Sequence, residues 1–322
     1  MTTYSDMLYH LGGVPALAGI PFGPNSKVYF VDPANGSNTN DGLTLTSAFA
    51  DVETGEDACT ANQHDTVVYI GGATADTVSA AITWDKSYTH LIGMCAPTQI
   101  AQRSRLMYET GTTVASPLLN ITASGCMFKN FYIFHGIASA TNLINVQVTG
   151  GRNYFENVHF AGGGHLTQAV DGASSLFLNA GCENTFYRCT VGVDTIKMGT
   201  GGTALKFDGS AGRNIFRECL FNLLISNGGA TLVELVDTTS ILMLAFFDNC
   251  TFLSTSDDKG TAMDSAFYIP SGHTTTTTIY LKDCTGIGFT DWDASNRGLI
   301  YMNMGTTTAG GNSGIAQVSN AT

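Results

Sequence analysis

The densest carboxylate group in the sequence is Asp257, Asp258 and Asp264, with Lys259 among them, inside a long polar stretch. Two such acids could hydrolyse a glycosidic bond if they stood about 5 to 9.5 Å apart across a sugar. Nothing in the spacing forces two of them onto one substrate, and a charge run between strands is ordinarily a solvated loop. Asp194 and Lys197 in VGVDTIKMG form another candidate pair, but a surface ion pair is the stronger expectation. Asp32, Asn35, Asn38, Asn40 and Asp41 form an oxygen-rich loop that could hold calcium. It lacks the ligand spacing and late glutamate of a calcium-binding loop. Turn formation is therefore expected there, because Asx side chains bond the backbone two residues on.

The seven histidines, His10, His64, His90, His135, His159, His165 and His273, are scattered. His159 and His165 bracket Gly162-Gly163-Gly164, yet no HExxH run and no Ser/His/Asp order emerges. Four of the eight cysteines, Cys189, Cys219, Cys250 and Cys284, recur at related spacing and invite a metal or redox role. No CxxC pair accompanies them, and cysteine packs well as a small buried hydrophobe, so packing is the stronger expectation. The run HTTTTT from position 273 resembles threonine-rich ice-binding solenoids, but it occurs once and not in every coil. No catalytic residue, metal ligand or cofactor is assigned.

The elements that would carry any such chemistry follow from internal repetition. Six segments align: GCMFKNFYIF, RNYFENVHF, ENTFYRCTV, RNIFRECLF, LAFFDNCTF and TIYLKDCTGI. Their first apolar column is Phe128, Phe155, Phe186, Phe216, Phe247 and Leu281, at intervals of 27 to 34 residues. Three residues on stands a second column, Phe131, Val158, Cys189, Cys219, Cys250 and Cys284, and most coils add a third, Ile133, Phe160, Val191, Phe221 and Phe252. Another strand-like run precedes each segment (SPLLNIT, NLINVQV, SSLFLNA, TALKFDG, TLVELVD, SAFYIP), and RGLIYMN ends the series. One repeat thus reads as strand, Gly/Asn turn, strand and long polar loop. The loops show no helical period, which leaves an all-β solenoid, a right-handed parallel β-helix of about seven or more coils. Asn153, Asn184 and Asn214 recur just before the aromatic and are expected to stack in a ladder of side-chain amides.

Composition agrees with stacked coils. Hydrophobic residues make up 43% and charged residues only 12%, about half the usual charged share of roughly 25%. The net charge of -12 disfavours nucleic acid and anionic membrane as partners. No apolar stretch approaches the roughly 18 residues of a membrane-spanning helix, so no membrane insertion is expected. The first 22 residues carry neither a basic start nor a continuous apolar run, so no signal peptide is read and folding in a cytoplasm with reduced cysteines is expected.

Three regions are expected. Residues 1–26 read as an irregular apolar anchoring arm, and residues 27–72 as a first strand, turn loop and short capping helix. Residues 73–322 read as the β-helix body with a C-terminal cap. In the second region KVYFVD alternates as a strand, PANGSNTNDG is a turn-rich loop, and Phe49, Val52 and Cys59 fall near one helical face with Ser47 as N-cap. This order, closing on DTVVYIGG, resembles the opening of pectate-lyase-like parallel β-helix proteins. The resemblance implies a helix that covers the open end of the first coil.

The segments LGGVPALAGIPFG, KVYFVDPANGSNTNDG and GGRNYFENVHF, with the apolar arm and few charges, are similar to those of tailed-bacteriophage virion proteins with a β-helix. That resemblance implies a virion structural protein made in the host cytoplasm, with capsid or tail proteins as partners and a homotrimer as assembly. A capsid decoration or cement role anchored by residues 1–26 is expected. The alternative is a tail spike or receptor-binding protein that binds or cleaves a host surface glycan. A cellular carbohydrate-active β-helix enzyme is a third, weaker reading.

Overall fold

A computed structural model describes residues 16–17, 19–109, 117–137, 141–162, 172–256, 261–273, 278–293, 298–304 and 315–316. The chain winds into a right-handed parallel β-helix with three long sheets. The first runs through ten strands from Val28–Val31 to Leu299–Met302. The second has ten strands, starting at Asp76–Val78, and the third has seven, from Ile82–Trp84 to Phe267–Tyr268. Among the described residues, the one antiparallel pairing is a small ribbon, Ala16–Leu17 with Ile20–Pro21.

A full coil holds three strands, not the two read from the repeat. Tyr154–Glu156 lies in the first sheet, His159–Gly162 in the second and Ser174–Asn179 in the third. The aromatic-x-x-small motif is therefore not one strand but a corner. A single residue between the two columns adopts left-handed backbone geometry: Asn130, Asn157, Arg188, Glu218, Asn249 and Asp283, with φ between 52° and 59°. Each of their N–H groups donates to a carbonyl one coil on, at 2.8 to 3.0 Å. Four are Asn or Asp, which tolerate this geometry; Arg188 and Glu218 do not share that preference and pair with each other at 3.7 Å.

Inside, the first column is a stack of rings. Phe128, Phe155, Phe186, Phe216 and Phe247 are fully buried and pair in register from coil to coil, and Leu281 continues the file. Neighbouring rings lie 4.6 to 5.0 Å apart and within 11° of parallel. Phe131, Val158, Cys189, Cys219, Cys250 and Cys284 form the second column, also buried. The Cys219, Cys250 and Cys284 thiols donate to the Phe186, Phe216 and Phe247 carbonyls at 3.4 to 3.5 Å, and none of the eight cysteines is in a disulfide.

The asparagine file differs from the expected amide ladder. The backbone N–H of Asn153 donates to Asn184 Oδ1 at 2.9 Å, and that of Asn184 to Asn214 Oδ1 at 3.0 Å. The amide groups of Asn184 and Asn214 return to the Gly150 and Gly181 carbonyls. One amide-to-amide bond is present, Asn184 Nδ2 to Asn214 Oδ1 at 3.2 Å. The backbone takes the rest because buried corner N–H and C=O groups must find partners.

Two further readings are corrected. RGLIYMN belongs to the first sheet, where Leu299–Met302 pairs with Thr278–Lys282, and not to the sheet of the other preceding runs. The α-helix is Val52–Ala58, capped by the Asp51 side chain at Thr54 N–H, whereas Ser47 ends a separate 3-10 turn, Leu45–Ser47. Phe49 lies between them, bridged to Val31. The helix packs at Gly55 on the first strands, so closely that a Cβ there would come within 3.0 Å of Val31 and Val67. Of the arm, residues 1–15 and 18 lie outside the described residues; Gly19 lies beside Lys129 Nζ on the first sheet's exterior.

Candidate functional site

Alternation along the third-sheet strands decides which residues face out. Leu176, Leu178, Leu205, Phe207, Val233 and Leu235 are fully buried, so the residue between each pair lies on the outer face of its coil, where Phe177 is covered and Lys206 and Glu234 are mostly so. Register then places Asn120, Gln147, Phe177, Lys206, Glu234 and Tyr268 in one exterior file, one residue per coil.

The lower half of this file is the floor of a trough of about 590 Å³. Its wall comes from the loops that lead into the third sheet. Gly172 N–H donates to the Gly201 carbonyl and Gly201 N–H to the Gly229 carbonyl, so the loops stack as the strands do. Thr200 Oγ1 donates to Asn227 Oδ1 at 2.9 Å and steadies the middle loop. A smaller recess of about 230 Å³ adjoins the trough and shares Gly229, Thr231 and Tyr268 with it. Asp264 and Asp293 line that end. Asp264 stands directly over Gly228, where a Cβ would come 2.7 Å from its Oδ1.

Charge in the trough is concentrated in one pair. Lys206 Nζ lies 3.6 Å from Glu234 Oε1 and 5.9 Å above the Phe177 ring. Both charged side chains are largely out of water, at 15% and 19% exposure. Tyr268, at 53%, presents an open ring beside them. A shallow polar trough with one aromatic face and hydroxyls from Thr200 and Thr231 can bind a polyhydroxylated ligand.

Asp257, Asp258 and Lys259 lie outside the described residues, while Asp264 lies at the acidic end of the trough. Asp194 is exposed on a bend beyond the second sheet, and Lys197 begins the short strand Lys197–Met198. The Asx loop uses its oxygens internally. Asp32 Oδ1 accepts from Ala34 and Asn35 N–H, Asp41 Oδ1 from Leu43 N–H and Ser47 Oγ, and Asn38 Oδ1 from Ala50 N–H. Among the described residues, no group of three or more His, Cys, Asp or Glu is placed to hold a metal.

His64, His90, His135 and His159 serve packing. His90 stacks on His64 with 3.1 Å between Nε2 and Nδ1, and burial lowers its pKa to about 3. His135 Nε2 meets Asn142 Oδ1 at 2.8 Å. His159 accepts Ala101 N–H at Nδ1 and donates from Nε2 to the Gly192 carbonyl; burial holds its pKa at about 4. His10 and His165 lie outside the described residues. Lys206, Glu234 and Tyr268 were missed by motif reading because they sit in three separate strands. The usable signal was the alignment of TALKFDG, TLVELVD and SAFYIP, which places Lys, Glu and Tyr at the same outward position.

No family model and no curated protein sequence matches the chain. Among solved structures it is similar to pectate lyase Pel9A, with a TM-score of 0.60, 15% identity, 84% of this chain covered and 65% of the lyase. The chain thus spans just under two thirds of that enzyme. A pectin methylesterase in complex with a hexasaccharide aligns at TM-score 0.57 and 14% identity, with 92% and 93% covered. A rhamnogalacturonan lyase aligns at 0.55 and 16%, with 81% and 68% covered. These likenesses establish a pectate-lyase-like parallel β-helix fold.

Proposed function

We propose that the chain is a structural β-helix protein of a tailed-bacteriophage virion, a capsid decoration or cement protein anchored by residues 1–26. The observation that carries this reading is that three sets of polar side chains that could have formed a site are engaged within the chain instead. The Asn153, Asn184 and Asn214 file, the buried His90, His135 and His159, and the Asx loop all bond within the chain. The first sheet's exterior supports a lateral assembly such as a trimer. There Lys129 pairs with Glu156, and Asp248 with Arg217 and Lys282, beside an in-register file of Tyr154, Thr185, Ile215, Phe246, Tyr280 and Ile300. Peptide counting and electron microscopy of purified virions test the proposal. High copy number on icosahedral positions is expected; confinement to the tail tip would overturn it.

The trough favours a second reading, a tail spike or receptor-binding protein that holds a host surface glycan. Tyr268 offers an exposed ring beside a file of polar side chains, and one structure of the same fold carries a hexasaccharide. Binding of host surface polysaccharide by the full chain, lost in Tyr268→Ala, is the expected result. Release of reducing ends or unsaturated sugars would add cleavage to binding.

A further inference from the structure

Resting on the glycan-binding reading of the trough, we infer that its ligand is an uncharged oligosaccharide laid along the solenoid axis. Glu234 sets that preference by holding the ammonium of Lys206.

Lys206 is the one Lys or Arg among the described residues lining the trough and its adjoining recess. Its Nζ is already engaged, 3.6 Å from Glu234 on the next coil and above Phe177 on the previous one. Because both side chains are mostly shielded from water, salt screens this pair less than an exposed one. A carboxylate on a ligand would have to compete with Glu234 for Lys206 in a partly buried place. Asp264 adds an exposed carboxylate at the far end. A polyuronate, with one carboxylate on every sugar, meets repulsion at more than one coil.

What remains for recognition suits hydroxyl groups and the apolar face of a sugar ring: Thr200, Thr231 and the open ring of Tyr268. The geometry favours a chain molecule over a compact one. The floor advances by one outward residue per coil, about 4.8 Å, close to the length of one pyranose unit. Successive sugars can therefore meet Lys206, Glu234 and Tyr268 in turn.

Calorimetry on the full chain tests this, with cello-, malto- and N-acetylchito-hexasaccharides as uncharged probes and hexagalacturonate as the charged one. At least one uncharged probe is expected to bind about tenfold or more tighter than hexagalacturonate, and Tyr268→Ala to weaken that binding by about tenfold. Glu234→Gln frees Lys206 and should shift the ratio toward hexagalacturonate by about tenfold. The double variant Lys206→Gln with Glu234→Gln removes both charges and should keep the wild-type ratio; it carries the test if the single variant does not fold. Hexagalacturonate binding wild type as tightly as the uncharged probes overturns the inference and leaves the glycan reading standing. An unmoved ratio in well-folded Glu234→Gln does the same. Failure of every probe to bind wild type and both Glu234 variants overturns the glycan reading, and the inference with it.

Discussion

The rings of Phe155 and Phe186 lie face to face, with centroids 4.6 Å apart and planes 4° from parallel. Each ring is also clasped between coils, since Phe186 stacks on Phe216 and meets Phe160 edge-on. Truncating Phe186 to Ala removes a buried ring at mid-stack and leaves a void that the flanking coils cannot close without moving their strands. A loss of about 3 to 5 kcal/mol in unfolding free energy is expected. Phe186→Leu should cost clearly less. Denaturant unfolding of the two variants measures both.

Arg188 occupies a left-handed corner at φ 52° without a side chain suited to it. Replacing it with Asn, the residue at three of the other corners, should raise stability by up to about 1 kcal/mol, because the exposed pair with Glu218 contributes little. Arg188→Val should lower it by about 1 to 2 kcal/mol, since a β-branched residue strains in that geometry. Thermal melts of the two variants should move in opposite directions.

His159 is held neutral, with its folded pKa at about 4, below the ordinary value of 6.5. The folded state therefore resists the proton that the unfolded chain accepts. Its contribution is complete above pH 6.5 and is lost as the pH falls toward 4. Across that window wild type should lose up to about 1.4 kcal/mol per pH unit relative to His159→Gln. Asp76 acts with the opposite sign: burial pushes its pKa up to about 7, so its contribution is present at low pH and lost as the pH rises through 7. The measurement is thus the difference between wild type and variant, from melts at pH 4 to 7. Parallel pH curves would overturn the assignment.

Of the eight cysteines, Cys95 and Cys182 alone are partly exposed. Burial drives the Cys219 and Cys250 thiols well above their usual range, which keeps them protonated and unreactive. Alkylation of the native chain at pH 8 followed by peptide mapping should label Cys95 and Cys182. Labelling of the other six should require denaturant. Rapid native labelling of Cys219 would show that the coils open there.

The parallel β-helix is legible in the sequence because its interior repeats. Phe128, Phe155, Phe186, Phe216 and Phe247 share an environment and therefore a residue type. The corner three residues wide was not legible as a corner. Its left-handed residue is Arg at 188 and Glu at 218, so the usual glycine signal is missing. RGLIYMN reads as the last of the preceding runs because its apolar alternation fits any of the three sheets, and only pairing with Thr278–Lys282 places it in the first. The trough was hidden for a different reason. Lys206, Glu234 and Tyr268 come from strands far apart in sequence, and what unites them is coil register, which no local motif records.

The stacked corners have one more consequence. Because each coil offers the next the same pleat, the same ring and the same turn, coils are interchangeable units of length. Gain or loss of one whole coil, such as the stretch from Tyr154 to Asn184, would rejoin every file and change the rod by about 4.8 Å. A molecule built this way is a ruler graduated in single turns. Its length can be reset in evolution while the chemistry of its flanks stays as it was.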